Sequence, residues 1–352
     1  MVNAMHYTTF NPHDMNSPHP YHDLPDLTGF FPVRITRLNQ QPFVKFAALP
    51  LEAFDNPFMA PDPMVRMGEK PDYATKGFLL DPLLHHIIAT PHIPVGGFIF
   101  HLSRCGSTLV TQMMKVLEDL LVISEPSGIS NILFQNEWIC EDEALVAKRF
   151  KALVLAHAHS MGFRKKKLFI KFQEFPIFHL DIIRKAFPDV PWIFLYRDPL
   201  EIMASWFENE EDKGPFSMRL HQHNKPLYLA KQLQLNPLDI EKMPREEIGA
   251  KVIAQMISAA LSNLSQQGLA VDYADLPRAF FSAIAPHFGL TISGKQAHAM
   301  LEVSQFYSKN KKAQIFEKDS ERKRTSASLE VKEAAKHWAQ PQYKLLKNAS
   351  TI

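Results

Sequence analysis

The stretch Phe98-Ile99-Phe100-His101-Leu102-Ser103-Arg104-Cys105-Gly106-Ser107-Thr108-Leu109-Val110 decides the fold. Its first four residues form a short apolar run of the kind that makes a buried strand, and an amphipathic helical pattern begins at Thr108. Between them, Ser103 to Thr108 read as a turn that points backbone N–H groups and the positive end of a helix at one place. Gly106 keeps that place free of a side chain, and Ser107 and Thr108 add hydroxyl donors. Taken alone, the turn reads either as an anion cradle or as a tight strand-to-helix connection with a capped helix. It is not the nucleotide triphosphatase pattern GxxxxGK[ST], because no lysine precedes Ser107 and no glycine stands five residues before Gly106.

Outward from this stretch the same alternation repeats. Short apolar runs at Phe98–His101, Leu121–Ser124, Leu168–Phe172, Trp192–Tyr196 and Leu269–Tyr273 are read as five strands buried on both faces. Helical patterns at Thr108–Leu120, Glu143–Ser160, Pro176–Phe187, Pro199–Glu208 and Glu246–Gln267 separate them. Strand and helix in alternation predict an α/β fold, a three-layer sandwich around a mostly parallel five-stranded sheet, with ligands gathered at the carboxyl ends of the strands. This domain is expected to span residues 96–352. Residues 1–22, with four histidines among turn formers, are expected to be a flexible arm, and the proline-rich residues 23–95 a packed extension or cap. Glu208 to Pro244 is read as a substrate-facing lid or as a solvated insertion.

A second informative stretch runs from Trp192 to Phe207. Arg197 stands where a buried strand ends, Asp198 is placed to cap the next helix, Pro199 fits its first turn, and Ser205 lies inside it. An arginine at the mouth of a strand and a hydroxyl on the adjoining helix can hold a phosphate; the competing reading bonds Arg197 to an acid or a carbonyl.

Together, and in this order, the two stretches resemble those of sulfotransferases that use 3′-phosphoadenosine 5′-phosphosulfate (PAPS). In that family an Arg/Lys-Ser-Gly-Thr-Thr turn holds the 5′-phosphosulfate, and an Arg-Asp-Pro turn with a later serine holds the 3′-phosphate. The resemblance implies that Ser103, Arg104, Cys105, Gly106, Ser107, Thr108, Arg197 and Ser205 bind the cofactor. Val271 to Pro277, followed by Phe288-Gly289-Leu290, is similar to a further strand end of the family and adds Tyr273. The family also closes an Arg-Lys-Gly loop over the 3′-phosphate; the counterpart is Arg322-Lys323-Arg324, which lacks the glycine and reads equally as a solvated basic loop. An aromatic ring for adenine is expected just after the first turn, where this chain has Leu109. Trp138 and Trp206 are the substitutes, or core residues.

The resemblance implies sulfuryl transfer to a hydroxyl or amine, with PAPS as donor, adenosine 3′,5′-bisphosphate as product and no metal. Negative charge develops on the departing phosphate oxygen, and a fixed donor aimed there lowers the barrier by ~3 kcal/mol. Arg104 and its turn are expected to serve that end. The acceptor must also lose a proton to a base. Cytosolic members use a histidine in a Lys-x-His-Leu-Pro stretch; here Lys171-Phe172-Gln173-Glu174-Phe175-Pro176 puts Gln173 in that place, and glutamine cannot accept the proton. Glu125, at the end of Leu121-Val122-Ile123-Ser124-Glu125, is the expected base, on the view that adjacent parallel strands bring it into one cleft with Arg104. Protein-tyrosine and some bacterial carbohydrate or lipid sulfotransferases place a glutamate similarly. Glu174 is the reserve. Lys171 is expected either to steady the sulfuryl group or to snorkel to the surface.

Composition narrows the alternatives. Hydrophobic residues make up 46% and charged residues 22% of the 352, which excludes a disordered chain. The 39 Lys and Arg exceed the 37 Asp and Glu by 2, so no nucleic-acid coat is expected. Two cysteines suit a reducing compartment; with no signal peptide and no membrane-length apolar run, a cytoplasmic protein is expected. Two rivals stand beside the transferase: a noncatalytic module that binds adenosine bisphosphate, and a P-loop-type kinase, which the missing lysine disfavours.

Overall fold

The structure, a computed structural model, describes residues 25–50, 54, 74–139, 142–160, 165–208, 225–264, 267–306 and 319–350. The expected arm at 1–22 lies outside the described residues, as do 209–224 of the expected lid and the basic residues Lys309, Lys311, Lys312 and Lys318.

Strands β1 (Phe30–Leu38), β2 (Gln41–Ala48) and β3 (Thr75–Leu79) form an antiparallel sheet in the order β1-β2-β3. Asn39 and Gln40 both have positive φ, the left-handed pair that a two-residue hairpin turn requires. Helix α1 (Leu84–Ala89) follows. Next come β4 (Val95–His101), α2 (Ser107–Lys115), β5 (Leu120–Ser124), α3 (Ser127–Ile139), α4 (Glu143–Ser160) and β6 (Lys167–Lys171). The chain then makes a 3₁₀ turn at Phe175–His179, α5 (Leu180–Ala186), β7 (Trp192–Tyr196), α6 (Pro199–Phe207), α7 (Lys225–Leu233), α8 (Pro237–Lys242), α9 (Arg245–Ser262) and β8 (Gly268–Asp272). Beyond it lie α10 (Gly294–Ser304), α11 (Ser320–Ser326), α12 (Leu329–Ala334) and α13 (Gln340–Ala349).

The second sheet has five strands, all parallel, in the order β5-β6-β4-β7-β8. Every residue of β5 and β7 is buried, as expected when helices cover both faces of a sheet. Aromatic rings carry much of the core: Phe100 stacks on Phe172 at 5.1 Å, and Phe98 and Phe150 pack around them. From β4 the chain crosses to β5 at one edge of the sheet, while β7, which pairs with β4 on its other side, leads to β8 at the opposite edge. The loops therefore diverge over the carboxyl end of β4, where ligands of such sheets bind.

This order corrects one expectation. β4 and β5 are not neighbours, because β6 lies between them. The ends that carry Arg104 and Glu125 are thus bridged by the end that carries Lys171.

The antiparallel sheet packs on the core through β1, which lies against α3 and α4. Gly128, in the first turn of α3, permits a close approach: a Cβ there would stand 3.2 Å from the Pro32 carbonyl oxygen. A two-bond ion pair ties the segment after β3 to α4, with Arg149 Nε and Nη2 donating to Asp81 Oδ1 (2.7 Å) and Oδ2 (2.6 Å). Among the described residues, no helix is long and apolar enough to cross a membrane.

Candidate active site

The turn after β4 is built on unusual backbone. Arg104 has φ +58° and Gly106 φ +81°, both left-handed. A left-handed arginine costs roughly 1–3 kcal/mol, which the surrounding structure must offset. Alternating backbone hand turns successive N–H groups to one side and makes a concavity suited to an anion. Gly106 also has no room for a side chain, since a Cβ would meet Leu276 Cδ1 at 2.8 Å and Tyr273 Cδ2 at 2.9 Å. α2 starts at once with Ser107, so its unpaired first-turn N–H groups face the same place. Ser103, Ser107 and Thr108 are buried, and Arg104 is half-buried. Cys105 is fully buried and its Sγ donates to the Leu102 carbonyl, so only its backbone can serve the turn.

Beside the turn sits a charged pair. Lys171, with a side chain at 0% exposure, places Nζ 2.8 Å from Glu125 Oε1, whose own side chain is 24% exposed. The lysine does not snorkel; it ends in the interior, and the carboxylate that balances it reaches solvent. Glu125 has φ +57°, a second strained left-handed residue, and its N–H donates to the Lys171 carbonyl at 2.7 Å. Backbone and side chain are therefore both tied to the end of β6. His101, the last residue of β4, lies behind them with Nε2 3.9 Å from Glu125 Oε1 and 2.9 Å from the Phe172 carbonyl oxygen. Burial, and then the positive charge of Lys171, push the His101 pKa down. Its place at the end of β4, three residues before Arg104, was the available sequence signal.

The second motif meets the first. Arg197 Nη1 donates to the Arg104 carbonyl at 3.2 Å, and its guanidinium lies 4.2 Å over the Tyr273 ring. The other bonds of Arg197 go to acids: Nε to Glu201 Oε2 at 2.6 Å and Nη2 to Asp319 Oδ1 at 2.9 Å. Nη2 also donates to Ser320 Oγ at 3.1 Å. Asp198 caps α6 by accepting from the Leu200 N–H, as the sequence predicts. Ser205 is buried and its Oγ donates back to the Glu201 carbonyl. Glu201 and Ser205, four residues apart, share one face of α6, and Arg197, just before the cap, reaches that face through its bond to Glu201. That spacing would have exposed Glu201 as a member; Asp319, distant in sequence, left no such signal.

The basic triplet divides. Lys323 is buried and its Nζ lies 2.6 Å from Asp319 Oδ2. Arg324 reaches Glu201 Oε1 at 2.7 Å and Asp198 Oδ2 at 3.3 Å. Arg322 pairs instead with Glu208 and stays exposed. Burial alone would raise the Asp319 pKa, yet hydrogen bonds from Arg197 and Lys323 hold it below the usual carboxylate value.

A narrow hollow with room for about one water lies next to the turn, lined by Leu102, Ser103, Glu174, Phe175, Trp206 and Met256. Trp206 belongs to its wall, and Glu174 supplies its one acidic side chain. Leu109 is half-buried.

No protein-family model matches the chain, and no curated protein sequence does. Among solved structures, the chain is similar to the sulfotransferase domain from the Synechococcus PCC 7002 olefin synthase at 15% identity and a TM-score of 0.40, over 75% of this chain and 97% of that one. It is similar to sulfotransferase STF9 from Mycobacterium avium at 11% identity and a TM-score of 0.39, over 77% and 80%. It is also similar to mouse sulfotransferase SULT7A1, crystallised with PAP, at 11% identity and a TM-score of 0.36, over 76% and 87%. Likeness at this level carries nothing about activity, which has to come from the side chains.

Proposed function

We propose that this chain transfers a sulfuryl group from PAPS to a hydroxyl or amine acceptor. The observation that supports this most directly is the bond from Arg197 to the Arg104 carbonyl, which joins the turn after β4 to the turn after β7, with the Glu125–Lys171 pair at the ends of the strands on the other side of β4. When bound, PAPS supplies an electrophilic sulfuryl group on a phosphate leaving group. The residues present fit such a ligand: a left-handed turn at Arg104 and Gly106 whose first-turn N–H groups suit one phosphate, and an arginine over Tyr273 that suits a second.

In this reading Ser103 to Thr108 bind and orient the phosphosulfate, and Arg104 steadies charge on the departing oxygen. Lys171 holds Oε1 of Glu125, leaving Oε2 to take the acceptor proton. The acceptor reaches the pair past Phe175, Trp206 and Met256, apolar side chains beside Ser103 that suit an apolar skeleton around the reacting group.

Thermal shift with adenosine 3′,5′-bisphosphate against ATP and magnesium, followed by labelled-sulfate transfer to an acceptor panel, tests the reading. Preferential stabilisation by ATP would favour a kinase. A binding-only module, favoured by Gln173 in the histidine position, would give stabilisation by the bisphosphate and no label transfer.

A further inference from the structure

The Arg197 cluster already holds carboxylates against its cations before any ligand arrives. Three cations, Arg197, Lys323 and Arg324, face three carboxylates, Asp198, Glu201 and Asp319. The three acids differ in what holds them. Asp198 is fixed as the cap of α6, and Glu201 lies 3% exposed inside that helix, between Arg197 and Ser205. Asp319 belongs to neither; it comes from far along the chain, at the start of α11, and is bound to the cluster through its side chain. Its two oxygens divide between two cations, Oδ1 to Arg197 Nη2 and Oδ2 to Lys323 Nζ, and Ser320 Oγ donates to Glu201 Oε2 close by. An anion that sets one oxygen on an arginine and another on a buried lysine stands where a phosphate would otherwise bridge them.

Resting on the proposed cofactor, we infer that Asp319 is an internal stand-in for the 3′-phosphate, which must displace its carboxylate to bind. The residue thereby sets the affinity of the site for a bisphosphate. With Asp319 in place, the Arg197 cluster assembles without ligand and Lys323 is not left charged and alone in the interior. An incoming phosphate takes over both cations, and the carboxylate withdraws to water, where its charge is hydrated. Affinity is reduced by the free energy of that exchange. A chain without this carboxylate would hold the same phosphate more tightly and be less stable when empty.

The test is D319N in the full-length chain, titrated with adenosine 3′,5′-bisphosphate and with adenosine 5′-phosphate. Asparagine keeps an oxygen for Arg197 and removes the charge that faces Lys323. The bisphosphate should bind ~10-fold more tightly, within the range usual for coupled sites, and the monophosphate should bind as before. Unchanged or weaker binding of the bisphosphate would overturn the inference, and equal gains for both nucleotides would place the effect elsewhere. Should neither protein bind the bisphosphate, the sulfotransferase reading fails separately. Thermal shift with inorganic sulfate then decides: stabilisation of D319N well above that of the wild type upholds the stand-in, and equal response removes it. A structure of the wild type with bisphosphate gives a check that needs no variant. The Asp319 carboxylate should have left Arg197 Nη2, and finding it still bonded there would refute displacement.

Discussion

Replacing Glu125 by glutamine perturbs the site with almost no change in shape. At 2.8 Å, opposite charges attract by ~6 kcal/mol for an effective dielectric of 20. Much of this is offset by the desolvation of Lys171, whose side chain is 0% exposed. Removing one partner of a buried pair costs about 3–5 kcal/mol, and the partial exposure of Glu125 together with the retained amide oxygen places E125Q at or below the lower end. A loss of stability of ~2 kcal/mol is expected, read by urea denaturation. On the role proposed for Glu125, the loss of activity is larger: kcat should fall by ~100-fold or more, with the affinity for adenosine 3′,5′-bisphosphate nearly intact. K171M/E125Q, which removes both charges, should recover much of the stability and none of the activity. E174Q should retain most turnover. A folded E125Q that turns over within ~3-fold of wild type would refute the assignment, and a large loss in E174Q would move the base to Glu174.

Further outcomes follow from the same geometry. G106A forces a Cβ onto a left-handed backbone and against Tyr273 and Leu276, so bisphosphate affinity should fall by ~10-fold or more, about 1.4 kcal/mol, in a titration; undiminished affinity would mean that the turn does not touch the ligand. D81A leaves Arg149, 4% exposed, without its paired carboxylate, whereas R149M leaves an Asp81 that water can reach. D81A should therefore cost ~3 kcal/mol and R149M less, and the reverse order in urea melts would contradict the burial argument. Burial lowers the pKa of His157 to about 4 and of His179 to about 3, so the unfolded chain binds protons first as pH falls below about 6.5. Their stabilising contribution is complete above that pH and declines below it, at up to ~2.7 kcal/mol per pH unit until pH 4. H157Q should roughly halve that part of the slope, measured by denaturation at pH 7, 6 and 5; an unaltered slope would clear His157 of the effect.

The five core strands were legible because each is a continuous apolar run with breakers on both sides, and Trp192–Tyr196 agrees with β7 at both ends. The helix expected over Thr108–Leu120 stops at Lys115, because Leu117 to Asp119 must turn the chain into β5. The antiparallel sheet was not read as strands: Pro32 and Pro42 interrupt the alternation, the β1 register shifts between Pro32 and Arg34, and a long insertion separates β2 from β3. In the site, Ser103 to Thr108 and Arg197 follow from local pattern, since a turn's chemistry lies within six residues. The position of β6 between β4 and β5 is set by the packing of whole layers and leaves no local trace, so the Lys171–Glu125 pair could be named by residue but not by contact. Asp319 reaches Arg197 across 122 positions, a distance over which a single sequence carries no pairing signal.

Gly128 ties the amino-terminal sheet to the segment that carries Glu125. The helix it begins starts two residues after the strained Glu125, and β1 presses its own main chain against that first turn. The sheet then works as a buttress: it braces the far side of a bend that the glutamate would otherwise relax. Loosening that contact should consequently blunt the turnover proposed for Glu125, although it touches none of the residues placed at the site.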